Sequence, residues 1–226
     1  FQERKILLKN KSKIRGSTLR SMLHKKQRMR SIYNLDSSKI KQVVEVLVKN
    51  DTWQIPTMRL YSNFALKKYK NPEYLSLLEV LPLAKKEEWI NEINLSPATL
   101  DPQTIEYTDW SSNMVRYMHK NGIKFMAGTD TPIGFLIPGL SLHQELEDLN
   151  NSGLTALETI QTGTTNPAQY FTMQDSLGRI KSGFTADLIV LDKNPLEDIS
   201  NTRSIVAVSK DGHYMSRTYL DSLLSY

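Results

Sequence analysis

The first regular pattern of apolar residues begins after Asp36 and predicts a helix. Asp36 is a residue type that often caps helices. Asn50 can end this helix in a left-handed turn. Residues 53–60 (WQIPTMRL) are predicted to form a short strand, although Pro56 argues against a central place in a ladder. Spacing of i, i+3, i+4, i+7 and i+8 defines one helical face, formed by Ile40, Val43, Val44, Leu47 and Val48.

Two further helical regions precede the clearest strand. Residues 71–95 are predicted to be helical with a break at Pro82, and they make this connection as long as a lid or an active-site insertion. Asp101 and Pro102 are typical of a helix start, and this helix is predicted to run to about Lys120, before Gly122.

The strand at 123–130 (IKFMAGTD) has a continuous apolar centre, the pattern of a parallel strand that is buried on both faces. Ser141 with Gln144, and then Thr155 with Glu158, predict two capped helices after it. In the first of these helices, the shared apolar face is formed by Leu142, Leu146 and Leu149. Helix, strand and helix in this order favour βα units and an α/β fold.

The last part of the chain is predicted to be a small β appendage. Residues 186–191 (ADLIVL) and 204–208 (SIVAV) are rich in β-forming residues. Asp211-Gly212 predicts a tight hairpin turn before 213–215. Together these patterns predict a basic arm or insertion at 1–35, an α/β body at 36–176 and a β appendage at 177–226.

Composition is typical of a globular chain: 226 residues, 39% hydrophobic and 23% charged. The sequence has no apolar run long enough for a membrane span and no charged-then-apolar leader. The absence of cysteine excludes disulfides, thiolate metal sites and a cysteine nucleophile. Because the chain begins with Phe1, we expect it to be a processed or truncated piece of a longer protein.

The positive charge is concentrated at the start of the chain. Residues 1–30 contain 11 lysines and arginines against Glu3 alone, whereas the whole chain has a net charge of +5. Such an arm can bind nucleic acid or an anionic membrane. The alternative is a solvated surface segment, which is favoured because no aromatic residue lies between Phe1 and Tyr33 to stack on bases.

Asp130 is the first candidate for chemistry. A carboxylate where a parallel strand leaves an α/β barrel can bind a metal or accept a proton, and Gly128 before it allows close approach of a ligand or backbone. The alternative is a turn cap, because Asp-Thr-Pro is a common turn sequence.

His143 is the second candidate, near the start of a predicted helix, where the positive helix end favours a neutral ring that could bind substrate or metal. The alternative is an ordinary exposed helical histidine. No two of the four histidines have metal-pair spacing, and neither a phosphate loop nor a Gly-x-Ser-x-Gly elbow occurs.

Three stretches resemble the carboxy-terminal part of the amidohydrolase superfamily, in particular its imidazolonepropionase-like and Xaa-Pro dipeptidase-like members. They are GIKFMAGTD at 122–130, SLHQELEDLNNSGLTALETIQTGTTNPAQYF from Ser141, and LGRIKSGFTADLIVLDKNPLEDISNTRSIVAVSKDG from Leu177. The resemblance implies the C-terminal portion of a (β/α)8 TIM-type barrel, with 53–60 and 123–130 as its seventh and eighth strands. It also implies part of a small composite β-sandwich.

The resemblance further implies a metal-dependent hydrolase of a cyclic-amide or dipeptide-like C–N bond. In it a divalent metal, usually zinc, would activate water. Asp130 would be both metal-associated and catalytic, and His143 would contact the substrate. The family's His-x-His pair, lysine and two further histidines have no counterpart here, so we expect a C-terminal fragment that needs the missing N-terminal half or another subunit. A homo-oligomer is compatible with this. The alternative is a non-catalytic binding or assembly remnant of the same fold.

Overall fold

The computed structural model describes residues 27–224, together with Lys5, Lys9 and His24. Two compact units divide the chain, 1–43 and 44–226. Most of the basic arm therefore lies outside the described residues, apart from a helical stretch at 27–33 and the three isolated positions. The predicted division into 1–35, 36–176 and 177–226 stays a prediction.

Helix α1 (Ser37–Lys49) begins as the sequence predicts. The Asp36 carboxylate accepts hydrogen bonds from the backbone N–H groups of Ser38 (3.0 Å) and Lys39 (3.3 Å). The left-handed residue after the helix is Asp51 (φ 47°), so the prediction of Asn50 was wrong by one position. The reason is that the Asn50 N–H still bonds to the Val46 carbonyl as part of the last turn.

The predicted strand at 123–130 is reduced to a single bridge, in which Phe125 pairs in parallel with Gln54. The predicted strand at 53–60 is reduced to the other half of this bridge. Helix α2 (Met58–Leu66) begins inside the predicted strand, so that prediction was wrong from Thr57 onward. Pro56 has no N–H to donate to a ladder, and Thr57 is left-handed (φ 48°), which turns the chain into the helix.

The segment after α2 is helical and broken where predicted. It consists of a 3-10 turn (Lys68–Lys70), α3 (Pro72–Ser76), a second 3-10 turn (Leu77–Val80) and α4 (Leu83–Leu95). Pro82 lies between the last two elements, as expected. We call residues 68–95 the insertion.

Helix α5 (Pro102–Lys120) has the predicted bounds, and Gly122 follows it with a positive φ of 87°. After the stretch 123–130, a 3-10 turn (Ile133–Phe135) leads towards the next helices. A buried cluster joins the insertion to this segment; its members are Tyr69, Tyr74, Leu78, Trp89, Ile93 and Ile137.

Three helices follow: α6 (Leu140–Asn151), α7 (Ala156–Thr162) and α8 (Thr165–Tyr170). The Thr155–Glu158 capping box of α7 is confirmed. The Ser141–Gln144 box was wrong, because α6 begins one residue before Ser141, whose side chain is buried inside the first turn. The predicted apolar face is confirmed at Leu146 and Leu149, but Leu142 is 41% exposed.

The β appendage is a three-stranded antiparallel sheet in the order β1 (Leu188–Leu191), β2 (Ile205–Lys210) and β3 (His213–Ser216). A 3-10 turn (Ile199–Arg203) precedes β2, and α9 (Arg217–Leu223) follows β3. Val190 pairs with Ala207, and Val208 with Met215. The hairpin turn at Asp211-Gly212 is confirmed, with positive φ at both residues.

The described residues thus combine helices and strands, as the sequence predicts. Among them, no helix is both long enough and apolar enough to cross a bilayer.

Candidate functional site

The main chain that leads to Asp130 is supported on both edges. On one edge, Gln54 N–H donates to the Lys124 carbonyl, and Met126 N–H donates to the Gln54 carbonyl, both at 3.0 Å. On the other edge, Ala127 N–H donates to the carbonyl of Thr162 at the end of α7 (2.9 Å). These bonds fix the direction in which the chain leaves towards Asp130.

Gly128 allows the two neighbouring segments to approach closely. A Cβ atom at this position would lie 2.5 Å from Cγ2 of Ile55, a distance that real Cβ contacts do not show. The glycine therefore leaves room for the Ile55 side chain, and not for the ligand or backbone that the sequence suggested.

Asp130 follows at the end of this stretch, and it is exposed. Its backbone is left-handed (φ 58°), and its carbonyl accepts a hydrogen bond from Ile133 N–H at 3.1 Å. Within the described part of the chain, its carboxylate has no hydrogen-bond or ion-pair partner. The main chain of Asp130 thus closes a turn, while its side chain is accessible to a ligand.

The described residues do not provide a complete set of metal ligands. No three His, Cys, Asp or Glu side chains of residues 27–224 or the three isolated positions form a group that could hold a metal ion. One carboxylate supplies one or at most two ligand oxygens, which leaves most of a divalent ion's coordination shell unfilled. The described residues alone therefore do not fit a divalent ion.

His143 lies on α6 and contacts the segment before β2. Its Nδ1 is 3.0 Å from the Thr202 hydroxyl. Burial lowers the pKa of the His143 imidazole, and the nearby Arg203 guanidinium lowers it further, so both favour the neutral ring. His143 therefore forms a hydrogen bond between α6 and the β appendage. Its contact with substrate stays a prediction.

A largely apolar cavity next to the β appendage does not include either candidate. It has a volume of about 500 Å³ and lies between α8 and β1; Asp130 and His143 are absent from its lining, which includes Phe171, Ile180 and Ile189.

Sequence reasoning missed Glu145, a fully buried carboxylate on α6. It accepts hydrogen bonds from the backbone N–H groups of Met58 (2.9 Å) and Arg59 (2.6 Å) at the start of α2. Burial raises the pKa of Glu145 to about 7 against these two bonds, which lower it. Its spacing from Leu142 and Leu149 was the available signal, since it places a carboxylate on the apolar face of the helix.

Asp148, one turn further along α6, completes a charged cluster between α6 and α2. It accepts a hydrogen bond from the Ser62 hydroxyl (2.6 Å) and lies 3.6 Å from Arg59 Nη1 and 3.8 Å from Lys68 Nζ. Burial lowers the pKa of Lys68, and the Asp148 carboxylate opposes this change. The cluster therefore places Arg59 of α2 and Lys68 of the following 3-10 turn beside the half-buried Asp148 of α6.

Comparison with known families gives a match over much of the chain. The model of the Amidohydrolase family matches residues 82–215, which is more than half of the chain and includes Asp130, His143 and Glu145. The chain therefore belongs to the amidohydrolase family, and the resemblance seen in the sequence is confirmed.

Individual relatives match shorter regions. Ochratoxinase from Aspergillus niger is 37% identical over 82 residues, which are 35% of this chain and 16% of that protein. 5'-Deoxyadenosine deaminase from Methanobrevibacter smithii is 33% identical over 84 residues, 36% of this chain and 19% of that protein. A solved Xaa-Pro dipeptidase with methionine bound in its active site superposes with a TM-score of 0.56 and 27% identity, over 77% of this chain and 37% of that one. The matched regions thus span less than two-fifths of each of these proteins.

Proposed function

We propose that this chain is the C-terminal part of a metal-dependent amidohydrolase, and that Asp130 is its proton-transfer residue. The substrate would be a small molecule with a cyclic-amide or dipeptide-like C–N bond. The observation that carries the proposal is the exposed Asp130 carboxylate at the end of a stretch that pairs in parallel with its neighbour, inside the family-matched region.

The proposed architecture is the end of a (β/α)8 barrel. The parallel bridge between Gln54 and Phe125 supports adjacent seventh and eighth strands, with α2 and α6 after them. Catalytic groups of such barrels lie at the C-terminal ends of the strands, and Asp130 would lie at the C-terminal end of the proposed eighth strand. The sheet β1–β3 would be this chain's share of a composite β-sandwich.

The metal, zinc by the resemblance, would need ligands from outside the described residues, and when bound it would supply an activated water. The role that we propose for this chain is proton transfer at Asp130. Its carboxylate would accept a proton from the attacking water and return it to the nitrogen of the leaving amine. An exposed carboxylate without a partner among the described residues is available for both transfers.

The direct test compares Asp130→Asn with Asp109→Asn in the full-length gene product. Asp109 is an exposed carboxylate on α5, so the second variant makes the same chemical change away from the proposed site. Release of free amine from a panel of aminoacyl-prolines and N-acyl amino acids measures the activity. We expect Asp130→Asn to reduce kcat by roughly 10²- to 10⁴-fold, the usual contribution of a general acid–base residue, and Asp109→Asn to leave it unchanged.

A second candidate function is a non-catalytic binding or assembly module of the same fold. It is favoured by one observation, the lack of a metal-binding group among the described residues. Elemental analysis of the full-length product separates the two. Bound divalent ion together with amine release supports the hydrolase, whereas a metal-free and inactive product supports the module.

A further inference from the structure

The segment immediately after the proposed catalytic residue has an unusual main chain. Asp130, Gly134 and Phe135 all have positive φ values, of 58°, 66° and 62°. Residues with a Cβ atom disfavour this region, and a bulky side chain such as phenylalanine is seldom found there. Surrounding contacts must therefore hold this conformation in place.

Hydrogen bonds connect the position of Asp130 to the rest of the segment. Ile133 N–H donates to the Asp130 carbonyl, and the Thr131 hydroxyl donates to the Leu136 carbonyl at 2.6 Å. Leu136 and Ile137 are buried in the core, at 0% and 2% exposure. A shift of residues 133–137 would therefore move the main chain of Asp130.

The insertion contacts this segment through aromatic rings. The Phe135 ring lies 4.9 Å from the Tyr69 ring and 5.7 Å from the Trp89 ring, the latter in an edge-to-face arrangement. Trp89 and Tyr69 are themselves buried, at 5% and 2% exposure. Phe135 is thus held between two side chains that cannot easily move away.

Helix α2 holds the same segment from a second side. The Asn63 side chain donates a 2.7 Å hydrogen bond to the Gly134 carbonyl. A Cβ atom at Gly134 would lie 2.7 Å from atoms of Leu60 and Phe64, so the backbone itself packs against the helix. The segment is therefore seated between α2 and the insertion.

We propose that the insertion is a fixed support for residues 130–137, and that Phe135 and Trp89 are positioning residues for the Asp130 carboxylate. The sequence alone suggested a lid or an active-site insertion, and the buried aromatic contacts favour a rigid support over a moving lid. The effect on catalysis rests on the proposed function. The support itself does not, and it can be tested without any activity.

The first test is amide hydrogen exchange on the 226-residue chain. Phe135→Ala removes the ring between Tyr69 and Trp89, and Trp89→Phe is a milder change that keeps a ring beside Phe135. Leu95→Ala, at an 86% exposed position on the same helix as Trp89, is the control. We expect the amides of Ile133 and Leu136 to exchange roughly five- to ten-fold faster in Phe135→Ala, less so in Trp89→Phe, and unchanged in Leu95→Ala.

Exchange in the β2 strand distinguishes local release from loss of fold, because β2 is remote from the insertion in sequence and should keep its protection. If Phe135→Ala unfolds the whole chain, the comparison of Trp89→Phe with Leu95→Ala decides the result. Equal exchange at Ile133 and Leu136 in Trp89→Phe and Leu95→Ala would overturn the proposal.

The second test measures kinetics in the full-length gene product. A displaced carboxylate should lower kcat by roughly ten-fold or more in Phe135→Ala with KM within about two-fold, since chemistry and not binding is affected. Faster exchange with unchanged kcat would overturn the positioning role. If the wild-type product has no amidase activity, the proposed function fails, and the exchange experiment still decides whether the insertion supports the segment.

Discussion

Replacement of Glu145 by glutamine should change how the stability of the chain depends on pH. The Glu145 carboxylate is fully buried on α6 and accepts two backbone N–H groups from the start of α2. Burial raises its pKa from an ordinary 4.5 to about 7; the two N–H bonds oppose this, and the neighbouring Asp148 adds to it. Arg59, packed beside both acids, lowers it slightly.

The sign follows from proton binding. Between pH 4.5 and about 7 the unfolded chain has released the Glu145 proton, while the folded chain still holds it. The folded state therefore binds more protons, and the free energy of unfolding falls as the pH rises. This difference in pKa corresponds to roughly 3 kcal/mol of the free energy of unfolding, which is lost progressively as the pH rises between these two values.

Glutamine cannot be ionised, so this loss disappears in Glu145→Gln. The amide offers one acceptor oxygen for two N–H groups, which costs about 1–3 kcal/mol for the group left unpaired. We expect the variant to be less stable than the wild type near pH 5 and to recover relative to it by pH 8. His143, whose pKa is lowered on folding, makes stability rise with pH near its unfolded value, but it is present in both proteins and cancels in their difference.

Urea unfolding followed by circular dichroism at intervals from pH 4.5 to 8 measures this difference. Glu92→Gln, at an exposed position on α4, is the matched control and should follow the wild-type curve. Parallel curves for wild type and Glu145→Gln across the whole range would refute the argument that burial keeps this carboxyl protonated in the folded chain.

Four further substitutions test the packing and the α7 cap by urea unfolding at pH 7. Gly134→Ala should lower the free energy of unfolding by about 2–4 kcal/mol, because positive φ and a close contact act together. Gly122→Ala, with positive φ but open space, should lower it by about 1–2 kcal/mol. Equal costs would mean that the contact at Gly134 relaxes freely. Thr155→Ala should cost about 1 kcal/mol through loss of the α7 capping box, and no change would show that the cap is dispensable. Leu149→Ala should cost about 3–5 kcal/mol, since Leu149 is fully buried, and a cost below 1 kcal/mol would contradict that burial.

Helices whose signals are local could be predicted from the sequence. Asp101-Pro102 marks the start of α5, and the Thr155–Glu158 pair marks that of α7, because each signal lies within one turn of the helix that it starts. The strand at 53–60 could not be bounded in the same way. Among the described residues its only bridge is to Phe125, far along the chain, and a left-handed Thr57 ends it early.

The residues of the candidate site also differ in whether their signal is local in the sequence or depends on distant partners. Asp130 could be proposed as a site residue because a carboxylate directly follows an apolar strand pattern, and this stays a prediction. Glu145 was overlooked because its partners, the N–H groups of Met58 and Arg59, are 87 and 86 residues away, and only the folded chain brings them together. Likewise, the Ser141 box failed because Gly139, at a φ of 80°, lets α6 start earlier than the side-chain pattern indicates.

The stretch before Asp130 has one edge that is already occupied near its beginning. The Phe125 carbonyl accepts a hydrogen bond from the Asn166 side chain, and the Ala127 N–H is bonded to Thr162. A further strand approaching from that side can pair only past the Ala127 N–H unless it displaces both partners. Pairing along this edge is therefore left to the residues next to Asp130, because α7 and α8 already cover the part of the edge before them.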